Sequence, residues 1–236
     1  MAEPATPARA WRVVLESLES DLLEGRLAPG DHLPPERELA ANLGVGRSSV
    51  REALRVLEVL GLIRTATGSG PTSGAIVIAT PRGGMSALLR LQVAAQGFPL
   101  DDVVRTRLII ESAVVETLAA AGGALSDAEA DLDAMDAPGL TAQEFLALDA
   151  EFHRALAEAS GNEVVAAMMA GLREAIESYV LAGAARIADW DATVARLRRE
   201  HRAIVQAVHD RDPARARELV REHITGYYAH AGLSRD

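Results

Sequence analysis

The chain contains no cysteine. A disulfide framework and a thiolate metal site are therefore both excluded. Lysine is missing as well: all 24 basic residues are arginine, which reads as a compositional bias and not as a mechanism. Aromatic residues make up only 3% of the chain. Good helix formers dominate in their place, so a mainly α-helical protein is expected. No run of 18 apolar residues occurs, so no membrane span is expected. The first residues, MAEPATPARAW, hold no apolar core. They read as a frayed tail and not as a signal peptide, and a cytoplasmic location is the expectation.

What is present is ordinary in bulk. The 236 residues are 49% apolar and 25% charged, enough for one large domain or two smaller ones. The net charge of −10 would weaken non-specific binding to nucleic acid, but phosphate binding depends on the local patch. Residues 1–81 carry eight arginines against ten acids, and residues 82–236 carry sixteen against twenty-four. Within residues 37–64 the balance reverses, with five arginines and three acids.

That patch lies in residues 34–64, PPERELAANLGVGRSSVREALRVLEVLGLIR. One helical pattern runs from about Pro35 to Leu43, the turn is Gly44-Val45-Gly46, and a second pattern runs from about Arg47 to Leu60. Val50, Leu54, Leu57 and Leu60 or Val59 line one face of the second helix. Arg47, Ser48, Arg51 and Arg55 lie opposite, and both first-turn hydroxyls, Ser48 and Ser49, are expected to be exposed. This describes a helix-turn-helix, whose second helix enters the major groove by its N-terminal end. A surface helical hairpin with solvated arginines is the bland alternative.

Around this stretch, residues 9–24 form an amphipathic helix expected to pack beneath the helix-turn-helix, and Pro29-Gly30-Asp31 marks a turn. Leu62–Thr65 and Ala75–Ile78 are short β-prone runs separated by ATGSGPTSG. Strand, glycine-rich tip and strand make the wing of a winged helix. The tip has no basic residue, so its DNA contacts would fall to backbone amides near Gly70 and to Ser69. The expected divisions are a tail (1–8), a winged helix-turn-helix domain (9–79), a linker (80–84), a helical domain (85–231) and a second tail (232–236). The helical domain reads as helices at about 84–96, 100–121, 126–135, 141–159, 162–186, 190–210 and 213–231. Arg196, Arg198, Arg199 and Arg202 read as a solvated face.

Asp149 and His153 are four residues apart, so they share one helix face. A carboxylate and an imidazole one turn apart can grip one metal ion. His201 and His223 lie on two later helices. One Asp and three His would supply an N₃O set suited to zinc, nickel or manganese, with positions left open for water or ligand. Taken singly, each histidine reads first as structural or as a surface residue, ahead of a ligand. His32, His209 and His230 are set aside, although His230 nearly shares the face of His223.

Two resemblances sharpen these readings. The words GRLAPGDHLPPERELAANLGVGRSSVREALRVLEVLGLIR closely resemble the GntR family of bacterial transcription regulators: a Pro-Gly turn, a Leu-Pro-x-Glu-Arg helix start, an Arg-x-x-Val-Arg-Glu-Ala-Leu recognition helix and a Leu-Glu-x-x-Gly-Leu exit. Residues 85–231 resemble the FCD ligand-binding domain of the FadR subgroup, through RTRLIIESAVVETLAA, LDAEFHRALAEASGN and REHRAIVQAVHDRDPARARELVREHI. The resemblance implies a mainly α protein, with an N-terminal winged helix-turn-helix and a C-terminal antiparallel helical bundle. It also implies a metal held by Asp149, His153, His201 and His223, zinc being the first choice. Arg107 matches the family's arginine on the first long helix of the bundle and would pair with an effector carboxylate; a surface arginine paired with Glu111 is the alternative. The implied function is a homodimeric, ligand-responsive regulator, a repressor in its commonest form. It would bind a pseudo-palindromic double-stranded operator through Arg37, Arg47, Ser48, Ser49 and Arg51 and sense a small carboxylate, without a membrane. Two alternatives stay open: a metalloenzyme with a helical Asp/His site, and a regulator whose metal is purely structural.

Overall fold

The structure is a computed structural model and describes residues 7–66, 74–78 and 81–233. The chain divides into two compact units, Met1–Met85 and Ser86–Asp236. In the first unit α1 (Pro7–Leu23), α2 (Glu36–Leu43) and α3 (Arg47–Val59) precede a two-stranded sheet of β1 (Ile63–Ala66) and β2 (Gly74–Val77). The strands are antiparallel, with Ile63 opposite Val77 and Ala66 opposite Gly74. They are thus displaced by one residue toward the tip from the expected runs. Leu62 and Ile78 fall outside them, although the Ile78 N–H still donates to the Leu62 carbonyl. Gly30, at φ 99°, turns the chain so that its N–H donates to the Val77 carbonyl at 2.8 Å.

The core of this unit gathers Val14 and Leu18 of α1, Leu39 of α2, Val50, Ala53, Leu54 and Leu57 of α3, and Ile63, Ala75 and Val77 of the sheet. Gly44 caps α2 in the left-handed conformation at φ 65°, which is where the tight turn spends glycine's freedom. The apolar face of α3 differs from the expected one. Val59 and Leu60 are 70% and 43% exposed, and Ala53 fills the face instead. Nine residues beyond Val50, at about 100° each, Val59 is carried to the opposite side of the helix.

The second unit is wholly helical among the described residues. It comprises most of α4 (Pro81–Ala94), then α5 (Leu100–Ala121), α6 (Ser126–Met135), α7 (Ala142–Ala159), α8 (Glu163–Ala184), α9 (Trp190–His209) and α10 (Pro213–His230). Helix α4 begins at Pro81, so residues 81–84 form a first turn where an irregular linker was expected. A proline at that position loses no hydrogen bond, since the first N–H groups of a helix have no partner inside it. Helix α5 is the hub, packing on α7, α8, α9 and α10. Phe145, Phe152, Leu118, Met135, Ile204 and Ile224 are among the second unit's fully buried side chains. No single helix is long and apolar enough to cross a membrane among the described residues.

Helix starts in this unit are written in the side chains. Asn162, Asp189 and Asp212 each accept backbone N–H bonds as N-caps. Thr141 and Glu144 form a reciprocal capping box at the start of α7. Thr141→Ala should lower the unit's unfolding free energy by about 1 kcal/mol. A lowered urea midpoint at unchanged slope would register this; an unchanged midpoint would show that the box contributes nothing. The α9 arginines are more engaged than a solvated face would be. Arg196 pairs with Glu200 at 2.7 Å, and Arg198 and Arg202 both pair with Asp136, the residue that follows α6 as its C-cap.

Candidate functional site

In the first unit the exposed edge of α3 presents Arg47, Ser48, Arg51 and Arg55, and Arg37 is exposed on α2. Ser49 corrects the sequence reading: it is 7% exposed and turned into the unit. Four residues before the buried Ala53, it falls on the packed half of the helix. Arg51 is held by Glu36 of α2, Nε to Oε2 at 2.7 Å. The base of the wing is tied to the far end of α3, where Glu58 Oε1 accepts from the Thr65 N–H at 2.9 Å and from its hydroxyl at 2.5 Å. Those two bonds lower the Glu58 pKa. Ser69 and Gly70 lie outside the described residues.

In the second unit the four expected ligands come together from three helices: Asp149 and His153 from α7, His201 from α9 and His223 from α10. One donor atom from each lies within 4.8 Å of all the others. His201 Nε2 is 3.1 Å from Asp149 Oδ1, and His223 Nε2 is 3.2 Å from the Nε2 atoms of both His153 and His201. His153 Nε2 stands farther from Asp149 Oδ1, at 3.9 Å. The histidines are 0–4% exposed. By contrast, His32, His209 and His230 are exposed, and His209 pairs with Glu129.

The outward ring atoms explain the arrangement. His153 Nδ1 lies 2.5 Å from Glu111 Oε2, and His223 Nδ1 lies 2.9 Å from Glu200 Oε2. A carboxylate on Nδ1 keeps the ring proton there, so Nε2 is left with its lone pair. Two lone pairs then face each other at 3.2 Å with no proton between them. A cation among them removes that conflict. Bonds of about 2.0–2.2 Å to one tetrahedral ion set neighbouring donors about 3.3–3.6 Å apart, and the edges of 3.1 and 3.2 Å lie just inside that spacing.

Protonation supports the same chemistry. Burial pushes His153 down to about 3, with the Arg173 charge adding to the shift against Glu111. Burial and the nearby His223 lower His201 as well. Burial alone would raise Asp149, but Arg173 and His201 outweigh it and hold this carboxyl well below its usual range. Burial likewise works against Glu111, and His153 and Arg107 win there. Neutral imidazoles beside an ionised carboxylate are the ligand states a divalent ion needs.

Two of the four ligands, Asp149 and His223, line a cavity of about 250 Å³ between α5, α7, α8 and α10, together with Arg107, Arg173, Glu177 and Tyr228 among others. That is just below the range of about 300–1,000 Å³ that suits drug-sized molecules. Arg107 is neither on the surface nor free. It is 4% exposed, its Nε and Nη2 lie 2.9 and 2.8 Å from Glu111 Oε1, and its Nη1 donates to the Tyr228 hydroxyl at 2.7 Å. Three neighbours escaped the sequence reading: Glu200, Tyr228 and Arg173, whose Nη1 donates to Asp149 Oδ2 at 2.8 Å. A signal for Arg173 existed, because it is the one basic residue in the otherwise apolar and acidic stretch EVVAAMMAGLREAIESYVLAGA.

Comparison with known proteins gives the class. Residues 12–72 match the bacterial regulatory proteins of the gntR family, and residues 102–226 match the FCD domain. The chain is 30% identical over 237 residues to the HTH-type transcriptional repressor NanR of Cronobacter sakazakii, covering 96% of this chain and 86% of that protein. It is 30% identical over 234 residues to NanR of Klebsiella aerogenes, covering 94% and 85%. Among solved structures, Streptococcus agalactiae GntR shares the fold, with a TM-score of 0.61 at 24% identity over 92% of this chain and 97% of that one. The chain belongs to the gntR family of bacterial transcription regulators and carries the FCD domain, the architecture of the FadR subgroup. It is a regulator and not an enzyme, which disposes of the metallohydrolase alternative.

Proposed function

We propose that the protein is a cytoplasmic, homodimeric repressor that binds a pseudo-palindromic operator and releases it in response to a small organic acid. The observation that carries the sensing half is the convergence of donor atoms from Asp149, His153, His201 and His223 beside a cavity that Asp149 and His223 line together with Arg107 and Arg173. Asp149, His153, His201 and His223 would hold a divalent ion, zinc first, with nickel or manganese as the other choices. Bound there, the ion supplies a Lewis-acid site for one carboxylate oxygen. The arginine side of the cavity offers the complementary charge, with Arg107 and Arg173 as its candidates. The other end of the molecule would read DNA through Arg47, Ser48 and Arg51 of α3, with Arg37 on α2 gripping the backbone and wing contacts at Ser69 and Gly70. The relatives described above are named repressors, which supports that direction of control. Two copies of one recognition helix reading two half-sites account for the operator's symmetry.

An effector shifts DNA affinity only if it binds one arrangement of the dimer better than the other. Metal analysis and native mass spectrometry of the purified protein should find about one divalent ion per chain, with a small acid retained beside it. Adding that acid should weaken operator binding, measured by fluorescence anisotropy. If metal-loaded protein binds no small carboxylate and operator affinity never responds, the metal is structural and the sensing reading fails.

A further inference from the structure

Three arginines line the cavity. Arg154 is taken by Glu151 and Glu158, and the surroundings of the other two, Arg107 and Arg173, differ in a way that separates their roles. On Arg107 the Nε–Nη2 edge, which would receive a carboxylate side-on, is already filled by Glu111 Oε1, and Nη1 is taken by Tyr228. Glu111 then reaches His153 Nδ1 through its other oxygen, at 2.5 Å. Tyr228, Arg107, Glu111 and His153 therefore form a buried chain of contacts from α10 through α5 to a metal ligand on α7, its last link a close charge contact without hydrogen-bond alignment. Arg173 is arranged differently. One terminal nitrogen donates to Asp149 Oδ2, while its Nε is buried without a partner among the described residues, and its side chain is 11% exposed along the cavity. Its Nε–Nη2 edge carries no hydrogen bond among the described residues, which is unfavourable for a buried cationic donor unless something else completes it.

We infer that Arg173 receives the effector's carboxylate, while Arg107 is a positioning residue that holds Glu111 against His153. This rests on the proposed sensing function and divides its labour. A carboxylate on the open edge of Arg173 completes the guanidinium's bonds. It also competes with Asp149 for the same positive charge. Asp149 presents its second oxygen, Oδ1, to the histidine cluster, so ligand binding and metal binding meet in one side chain. The effector thus changes the metal's surroundings through Asp149 without having to displace the buried Arg107 chain. The single free guanidinium edge also sets the ligand class: one carboxylate is matched here. A second carboxylate would face Glu151, Glu174 and Glu177, which line the same cavity.

The test compares Arg107→Met and Arg173→Gln in the full chain, with two separate readouts. Zinc affinity is measured by competition with a chelating dye. Carboxylate binding is measured by calorimetry with acetate and gluconate on zinc-saturated protein. Arg107→Met should lower zinc affinity about 10- to 100-fold, as expected when the group orienting a ligand is lost, yet bind the carboxylates normally once zinc is saturating. Arg173→Gln, read on zinc-saturated protein so that the loss of its bond to Asp149 does not enter, should lose carboxylate affinity at least about tenfold, with partial recovery in Arg173→Lys. Circular dichroism checks folding, and Arg107→Lys, which keeps the charge but not the fork, replaces Arg107→Met if that variant does not fold. Undiminished carboxylate binding in Arg173→Gln, or loss of carboxylates with unchanged zinc affinity in the Arg107 variants, overturns the assignment. If the zinc-loaded parent binds neither acetate, gluconate nor a citrate control, the sensing reading and the role of Arg173 fall together. The zinc measurement still decides the role of Arg107 by itself.

Discussion

Replacing Arg47 by alanine is expected to abolish retention of the operator in a gel-shift assay while leaving the melting curve unchanged. The duplexes used would be those the parent protein enriches from a random pool. Arg47 is the first residue of α3 and is exposed, so its removal strands no buried partner, and surface changes of this kind usually stay within about 0.5 kcal/mol. A cation at a helix N-terminus opposes the helix dipole, and α3 has no acidic residue in its first turn and no side-chain cap. For folding alone, alanine should therefore serve as well or slightly better. Binding is a different matter. A bidentate contact to a guanine is worth about 1–3 kcal/mol, and the wing tip carries no basic residue to compensate. Arg51→Ala should behave similarly, with one difference. Arg51 is braced by Glu36, so Glu36→Gln should cost binding through loss of that brace. Salt titrations separate the roles: loss of a phosphate contact lowers the slope of log K against log salt by about 0.9, whereas loss of a base contact weakens preferred sequences selectively. Both arginine variants binding the selected duplexes normally would refute this docking.

The second large effect concerns the metal. Chelation is expected to lower the melting temperature of the helical unit and to leave the transition of the winged-helix unit in place, because all four donors lie in α7, α9 and α10. When free zinc stands at about 1,000 times Kd, bound zinc contributes about 4 kcal/mol, a large share of the stability of any domain. His201→Ala should bring the metal content close to zero and make the melting temperature indifferent to chelator. Its imidazole is fully buried and makes the 3.1 Å approach to Asp149 Oδ1, so no neighbouring group can swing into its place. A parent protein whose melting is unmoved by chelation, or a His201→Ala variant that still carries one ion, would contradict this assignment.

The balance between sequence and structure is visible in particular residues. The helix starts at Thr141, Asp189 and Asp212 are legible because a cap acts on N–H groups two or three residues away. Asp149 and His153 pair legibly because four residues make one helical turn. Val59 was misplaced because spacing was counted past the point where the apolar face had rotated away. Ser49 was misplaced because a serine in a first turn reads as exposed until the neighbouring helix is known. Arg107 was recognised as a cavity residue, yet its partner Tyr228 lies 121 residues away.

The sequence by itself determined which segments are helical, which two glycines flank the turn of the helix-turn-helix, that no thiolate or disulfide takes part, and which four side chains could share an ion. These follow from short-range periodicity, capping chemistry and residue type. Only the tertiary structure decided that three imidazoles turn their Nε2 atoms toward one point, that Glu111 and Glu200 hold two of them in that orientation, and that Arg173 rather than Arg107 has an open edge. Each of these depends on how α5, α7, α8, α9 and α10 pack side by side, and that packing is set by buried volume shared among distant segments, which no local pattern encodes.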